Sequence, residues 1–150
     1  MRFLIMHKSN EENEAGVPPS GELSERVGRL MEESAREGVL LAAEGVHESS
    51  KGALLSFSGG RRTVTDGPFA EAKELIAGFV VVQVGSKAEA IEWATRLAEA
   101  LGADVEIEVR QVIELADFPP ENVSPEAAAR EGGTSPSPSE TERREEGGSR

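Results

Sequence analysis

The chain has 150 residues, a formal net charge of −12 and no cysteine. These facts exclude disulfides, thiolate nucleophiles and thiolate metal sites, and the length allows one domain. Seven acids against four bases fall in residues 119–150 and twenty-one against twelve before them, so neither part offers a basic footprint for nucleic acid or an anionic membrane surface, and the acidity serves solubility.

Residues 2–7 form a bounded apolar run, far too short for a signal peptide or a membrane span, and they predict a buried N-terminal strand. A cytoplasmic location is the default. Ser20, after Pro18 and Pro19, is placed to cap a helix in which Leu23, Val27, Leu30, Met31 and Ala35 recur at helical spacing until Gly38. Residues 39–43 predict a second strand. Residues 54–57 and 62–65 predict a hairpin around Ser58-Gly59-Gly60-Arg61, and residues 79–84 a long central strand. Gly59-Gly60 lacks the Gly-Lys-Ser/Thr of a nucleotide loop and is better read as that hairpin's turn. Ser86-Lys87-Ala88-Glu89 is a capping-box pattern opening a second helix, with Ile91, Ala94, Leu97, Ala98 and Leu101 on one face and a stop at Gly102. Trp93 sits beside that stripe as a packing or interface residue. Val105, Ile107 and Val109 alternate with charged residues in a last strand.

From residue 119 onward Pro, Gly, Ser, Glu and Arg dominate, and Val123 is the one large aliphatic residue. Such a composition cannot offset its ordering entropy by burial, so residues 1–118 are expected to form the domain and residues 119–150 a disordered acidic tail.

The order β-α-β, hairpin, β-α-β predicts an α+β fold, a ferredoxin-like sheet with both helices on one face. The other face then carries Phe3, Ile5, Val80 and Val82, or their alternating neighbours, and must be covered. A second copy of the chain is the simplest cover, which makes a homodimer the expected state.

Between hairpin and central strand lies Thr65-Asp66-Gly67-Pro68-Phe69-Ala70-Glu71-Ala72-Lys73-Glu74. The Asp66 carboxylate can bond the backbone two residues on and cap a helix with Pro68 near its first position, a structural role that outweighs a chemical one on the turn alone. Thr65 opposite Leu54 would bring Asp66 beside the loop of residues 47–53. His47 and Asp66 would then converge, and a carboxylate near an imidazole fixes its tautomer and makes it a usable acid or base. Glu44 is a second candidate carboxylate. Lys51, Arg61, Arg62 and Lys73 are candidates to hold a small anionic substrate, although each taken singly is better read as a surface charge. His7 shares a strand face with Phe3 and Ile5, which suggests a strand-end histidine hydrogen-bonded at the dimer interface. Two histidines without metal-ligand spacing predict no metal, and no cofactor motif is present.

Asp-Gly-Pro-Phe followed by Ala-Glu-x-Lys-Glu, a glycine and a β-rich segment resembles the DGPF branch of the YCII-related family. Ala43-Glu44-Gly45-Val46-His47-Glu48-Ser49-Ser50-Lys51-Gly52 is similar to a Gly-Glu-Gly-Leu-His-Pro-Ser-Ser-Lys-Gly segment of one subgroup. Glu48 departs from the proline of that segment, and Arg96-Leu97-Ala98 stands where an Arg-Cys-Pro segment is frequent. The resemblance spans residues 1–118. It implies a dimeric α+β barrel in which two sheets pack face to face, and a His and Asp pair in a pocket, matched here by His47 and Asp66. Two functions follow. One is a cofactor-free lyase- or isomerase-type acid-base enzyme acting on a small molecule. The other is a non-catalytic ligand-binding or regulatory dimer module, with a link to sigma-factor control implied by resemblance alone.

Overall fold

The computed structural model describes residues 1–131 except Ala70 and Ala103, and the side chains of Lys73 and Glu131 lie outside the description. The chain divides into two compact units, Met1–Val112 and Ile113–Arg150.

The first unit is built on a four-stranded antiparallel sheet in the order β2-β5-β1-β6, from β1 (Arg2–Lys8), β2 (Leu40–Gly45), β5 (Ile76–Gln83) and β6 (Ile107–Gln111). This is the strand order of a ferredoxin-like α+β fold. Two long helices, α2 (Gly21–Arg36) and α3 (Lys87–Leu101), pack on each other and on one face of the sheet. A four-residue helix α1 (Glu11–Glu14), capped by Asn10, precedes them and has no counterpart in the apolar pattern.

Both long helices start where their caps predict. The Ser20 hydroxyl accepts from Leu23 N–H and the Ser86 hydroxyl from Glu89 N–H, satisfying donors that the first turn leaves unpaired. The Glu89 carboxylate reaches back to Gly85 N–H, one residue before the cap. Gly102 closes α3 at φ 68, and its N–H returns to Ala98 C=O.

Alternation along β1 and β5 decides which face is the core. Phe3, Ile5, Val80 and Val82 point to the helices and are buried with Leu30, Ala90, Trp93, Ala94 and Leu97. Burying each of the larger side chains contributes about 1.5–3 kcal/mol. Trp93 is a core residue at 8 % exposure, and its ring carries the Arg96 guanidinium 4.4 Å from the centroid. Arg96 in turn pairs with Glu33, tying α3 to α2. The opposite sheet face takes the alternating residues: Leu4 pairs with Val81 and Met6 with Phe79, all half-buried.

Strands β3 (Ala53–Ser58) and β4 (Arg61–Asp66) form a separate two-stranded sheet whose residues are all exposed. Its register sets Leu55 against Val64 and Phe57 against Arg62, so Ala53, Leu55, Phe57 and Val64 share one face. Leu55, Phe57 and Val64 are 59 %, 70 % and 52 % exposed.

In the second unit, short 3-10 turns at Leu115–Asp117 and Pro120–Asn122 precede α4 (Pro125–Glu131). The stretch expected to be disordered thus includes a turn and a short helix, and its residues 132–150 lie outside the described residues. Among the described residues no helix is long and apolar enough to cross a membrane.

Candidate functional site

The turn after the hairpin is locked by main-chain contacts. Leu54 pairs with Thr65 and Ala53 with Asp66, and Gly67 N–H donates to Gly52 C=O at 3.0 Å. The hairpin root therefore lies beside the loop of residues 47–53, as the spacing predicts. A Cβ added to Gly67 would sit 1.7 Å from Ser49 O, so glycine alone allows the two backbones to meet. The Gly67–Pro68 peptide is cis.

Ser49 links three segments here. Its hydroxyl donates to the Glu14 carboxylate at 2.5 Å and accepts from Phe69 N–H at 2.9 Å, and its N–H also points to Glu14. Ser9 Oγ adds a bond to Glu14, and Ser9 N–H donates to Leu75 C=O. The buried pair Ser9 and Ser49 thus binds the end of β1, α1, the 47–53 loop and the Asp-Gly-Pro-Phe turn into one cluster. Nothing in the sequence singled out Glu14 or Ser49. Glu14 belongs to a polar run that reads as solvated, and its partner lies 35 residues away.

One proposed role of Asp66 is overturned. Asp66 ends β4, among the described residues 67–69 no helix begins, and the 3-10 segment Ala72–Glu74 has Glu71 at its N-cap position. Asp66 lies five residues before that position and is paired with Ala53 in the ladder, so it does not occupy the cap.

His47 follows β2, and its side chain is 76 % exposed. Its Nδ1 lies 3.5 Å from Glu48 Oε2 and 3.3 Å from Lys51 Nζ, and among the described residues no hydrogen bond or ion pair joins it to Asp66. Glu48 is the better-enclosed group at 16 % exposure, with Lys51 Nζ 3.4 Å away and Gly16 against its carboxylate. A hydrogen bond from its own backbone N–H, working against desolvation, holds the Glu48 carboxyl below the usual range, with further help from Lys51 and His47. The residue that departs from the subgroup's proline thus supplies the carboxylate nearest the loop histidine.

A cavity of about 1860 Å³ opens at this end of the first unit. Glu44, His47, Glu48 and Lys51 line it together with His7, and Asp66 is outside its lining. Glu44 stands opposite Phe79 on β5. Arg61 and Arg62 stand at the far end of the hairpin from this loop, and the side chain of Lys73 lies outside the described residues. Among the described residues no group of three or more His, Cys, Asp or Glu is placed to hold a metal ion.

His7 departs from the interface role expected of it. It faces the helix side of the sheet with Phe3 and Ile5, opposite Gly78, and among the described residues its side chain makes no hydrogen bond, Nδ1 being buried without a partner. Its ring lies over Gly78, where a Cβ would be 2.5 Å from His7 Cε1. Burial pushes the imidazole pKa down from 6.5. The native state then binds fewer protons than the unfolded chain below that value, so the contribution of His7 is full above pH 6.5 and is lost as pH falls through the lowered native pKa. Urea unfolding at a series of pH values should show a shallower acid loss in His7→Gln than in the parent, and identical slopes would contradict the burial argument.

The strand order, the locked Asp-Gly-Pro-Phe turn and the loop behind it define a family as well as a fold. The YCII-related domain model matches residues 1–116, and the chain belongs to that family. It is also 41 % identical over 58 residues to the uncharacterized protein R00369 of Rhizobium meliloti strain 1021, a match covering 39 % of this chain and 47 % of that protein. The chain therefore matches about half the length of that curated relative.

Proposed function

We propose that the chain is a homodimeric, small-molecule-binding module of the YCII-related family. The observation that carries this reading is the convergence of Glu44, His47 and Lys51 on one cavity from which Asp66 is absent. A mostly exposed histidine beside Lys51, without a bond to Asp66, suits ligand recognition better than proton transfer by a His47–Asp66 dyad. Two apolar surfaces support the dimer: the sheet face of Leu4, Met6, Phe79 and Val81, and the hairpin face of Leu55, Phe57 and Val64. A two-stranded ribbon exposed on both sides is marginal alone, and a second copy would cover it.

A second reading keeps acid-base chemistry at His47 with Glu48 as its carboxylate partner, since these two are in contact. Cytoplasmic residence is proposed from the sequence, as the default for a chain whose N-terminal apolar run is too short for a signal peptide or a membrane span, and a regulatory link to transcription is proposed by resemblance alone.

A fragment screen by amide-resolved NMR on the full chain tests the binding reading. Hits should perturb residues 44–51, His47→Ala and Lys51→Ala should each weaken them about tenfold, roughly the value of one charge-assisted contact, and Phe57→Asp should shift sedimentation toward monomer. Hits that map elsewhere, or affinities indifferent to both variants, would sink the site. A variant still sedimenting as a dimer would remove the hairpin from the interface. Turnover lost on changing His47 or Glu48 would favour the acid-base reading.

A further inference from the structure

We propose that His7 forms the floor of an uncharged-ligand subsite, its Nε2–H donating a hydrogen bond to a carbonyl oxygen of a small molecule whose apolar part lies between α2 and the sheet. This rests on the reading of the cavity as a binding site and adds the class of molecule it takes.

The imidazole has a built seat. His7 pairs with Gly78 on β5, and Gly78 pairs with Gly45 on β2, so two glycines lie side by side across the strands. Gly78 is filled by the ring, because a Cβ there would meet His7 Cε1 at 2.5 Å. At Gly45 the nearest atom to an added Cβ is Ala77 O at 4.0 Å, which leaves open space beside the imidazole. Val27 and Met31 of α2 and Leu97 and Leu101 of α3 line the same cavity, giving it apolar walls around one polar group.

The two ring nitrogens differ. Nδ1 is enclosed without a hydrogen-bond partner among the described residues, whereas Nε2 is not among the buried unpartnered atoms and makes no hydrogen bond to a described residue. An orphaned N–H is harder to bury than an orphaned lone pair, so the proton belongs on Nε2, where a ligand or water can accept it. Enclosure also lowers the imidazole pKa, which favours the uncharged ring.

The charges around the cavity select against an anion. Lys8 is paired with Glu108, Arg26 with Glu22 and the Ala100 carbonyl, and Lys51 with Glu48. Glu44 and Glu106 line the cavity, and among the described residues neither carboxylate has a hydrogen-bond or ion-pair partner. Among the described residues the Lys and Arg side chains that line the cavity already contact an anionic partner, so a carboxylate ligand would meet these charges with less to offset them, a repulsion that a ketone or amide would not meet.

The experiment uses the full chain labelled with ¹⁵N-histidine, with acetophenone as the carbonyl probe, ethylbenzene as its counterpart lacking an acceptor and benzoate as its anionic counterpart. The free protein should show the Nε2–H tautomer at His7. Acetophenone should move the His7 Nε2 resonance saturably, and ethylbenzene and benzoate should bind more weakly. His7→Phe should weaken acetophenone about tenfold, the worth of one hydrogen bond, with part restored in His7→Gln, which keeps a donor. Matching amide spectra away from the cavity verify that both variants fold. An Nδ1–H tautomer, acetophenone shifts that spare the His7 ring, or unchanged affinity in both variants would overturn the proposal. If probes perturb His47 and Lys51 but never His7, the binding reading stands and this subsite falls. If no probe perturbs either group, both fall.

Discussion

Gly67→Ala is expected to cost on the order of 3–5 kcal/mol, at the upper end of what single substitutions do. The new methyl would lie 1.7 Å from Ser49 O, 2.5 Å from Ser49 C and 3.1 Å from Ser50 N, all main-chain atoms that cannot rotate away. Relief requires the Ser49–Ser50 peptide or the hairpin root to move. Either motion breaks the 3.0 Å bond from Gly67 N–H to Gly52 C=O and the 2.9 Å bond from Phe69 N–H to Ser49 Oγ, and it leaves Glu14 without its buried donors. The loss should appear in urea unfolding, with amide shifts spreading from residues 47–53 to α1. Gly52→Ala is the matched control. There the nearest atom to a Cβ is Ser49 O at 3.5 Å, and φ is −115, so the change should be nearly silent. Equal losses in the two variants would show that the clamp is not what the glycine serves.

The second large effect is expected at Gly78. An alanine there meets His7 Cε1 at 2.5 Å, Glu44 O at 2.8 Å and Gly45 Cα at 3.3 Å, and overpacking of this kind costs about 1–3 kcal/mol or more. Two of the three contacts are backbone of β2, so the strand pairing itself is strained, while the histidine contact can be removed. His7→Ala combined with Gly78→Ala should therefore recover part of the loss and not all of it, a non-additivity that a double-mutant cycle in urea measures. Gly28→Ala, in the interior of α2 with nothing within 4 Å of an added Cβ, should instead stabilise by about 0.5–1 kcal/mol, because alanine has the smaller entropy loss in a helix. Strict additivity at positions 7 and 78 would mean that the imidazole does not rest on that glycine.

Much of the fold was legible because its signals are local. Helical spacing from Leu23 to Ala35, a serine cap before each long helix, and apolar alternation in the strands each depend on neighbours a few residues apart. They place the two long helices and the order of the strands, although β5 begins three residues earlier than expected and Val105 falls before β6. The hairpin register was legible too, with Thr65 opposite Leu54 as expected, although pairing continues to Ser58 and Arg61 and leaves a turn of two residues, Gly59-Gly60, where four were expected. The site was harder to see. A conjunction of Asp66 and His47 required side-chain direction as well as register, and nothing in the sequence states that His47 turns toward Glu48 and Lys51. Asp66 read as a helix cap because Asp-Gly-Pro commonly opens one; here the 3-10 turn that follows has Glu71, five residues further on, at its N-cap position. Ser49 and Glu14 escaped notice because a buried hydroxyl and a carboxylate far apart in sequence have no local signature. Strand parity placed His7 on the Phe3 and Ile5 face correctly, but parity alone does not say which face the helices cover.

The anchoring of the hairpin also bears on how such a chain can diversify. Its root is fixed by main-chain bonds and by the Ser49 cluster, whereas every residue of its two strands is exposed and none takes part in that cluster. The arm is therefore a replaceable attachment on a fixed socket. Its length and tip sequence can be exchanged to suit a different partner surface while the cavity beside the socket keeps its shape.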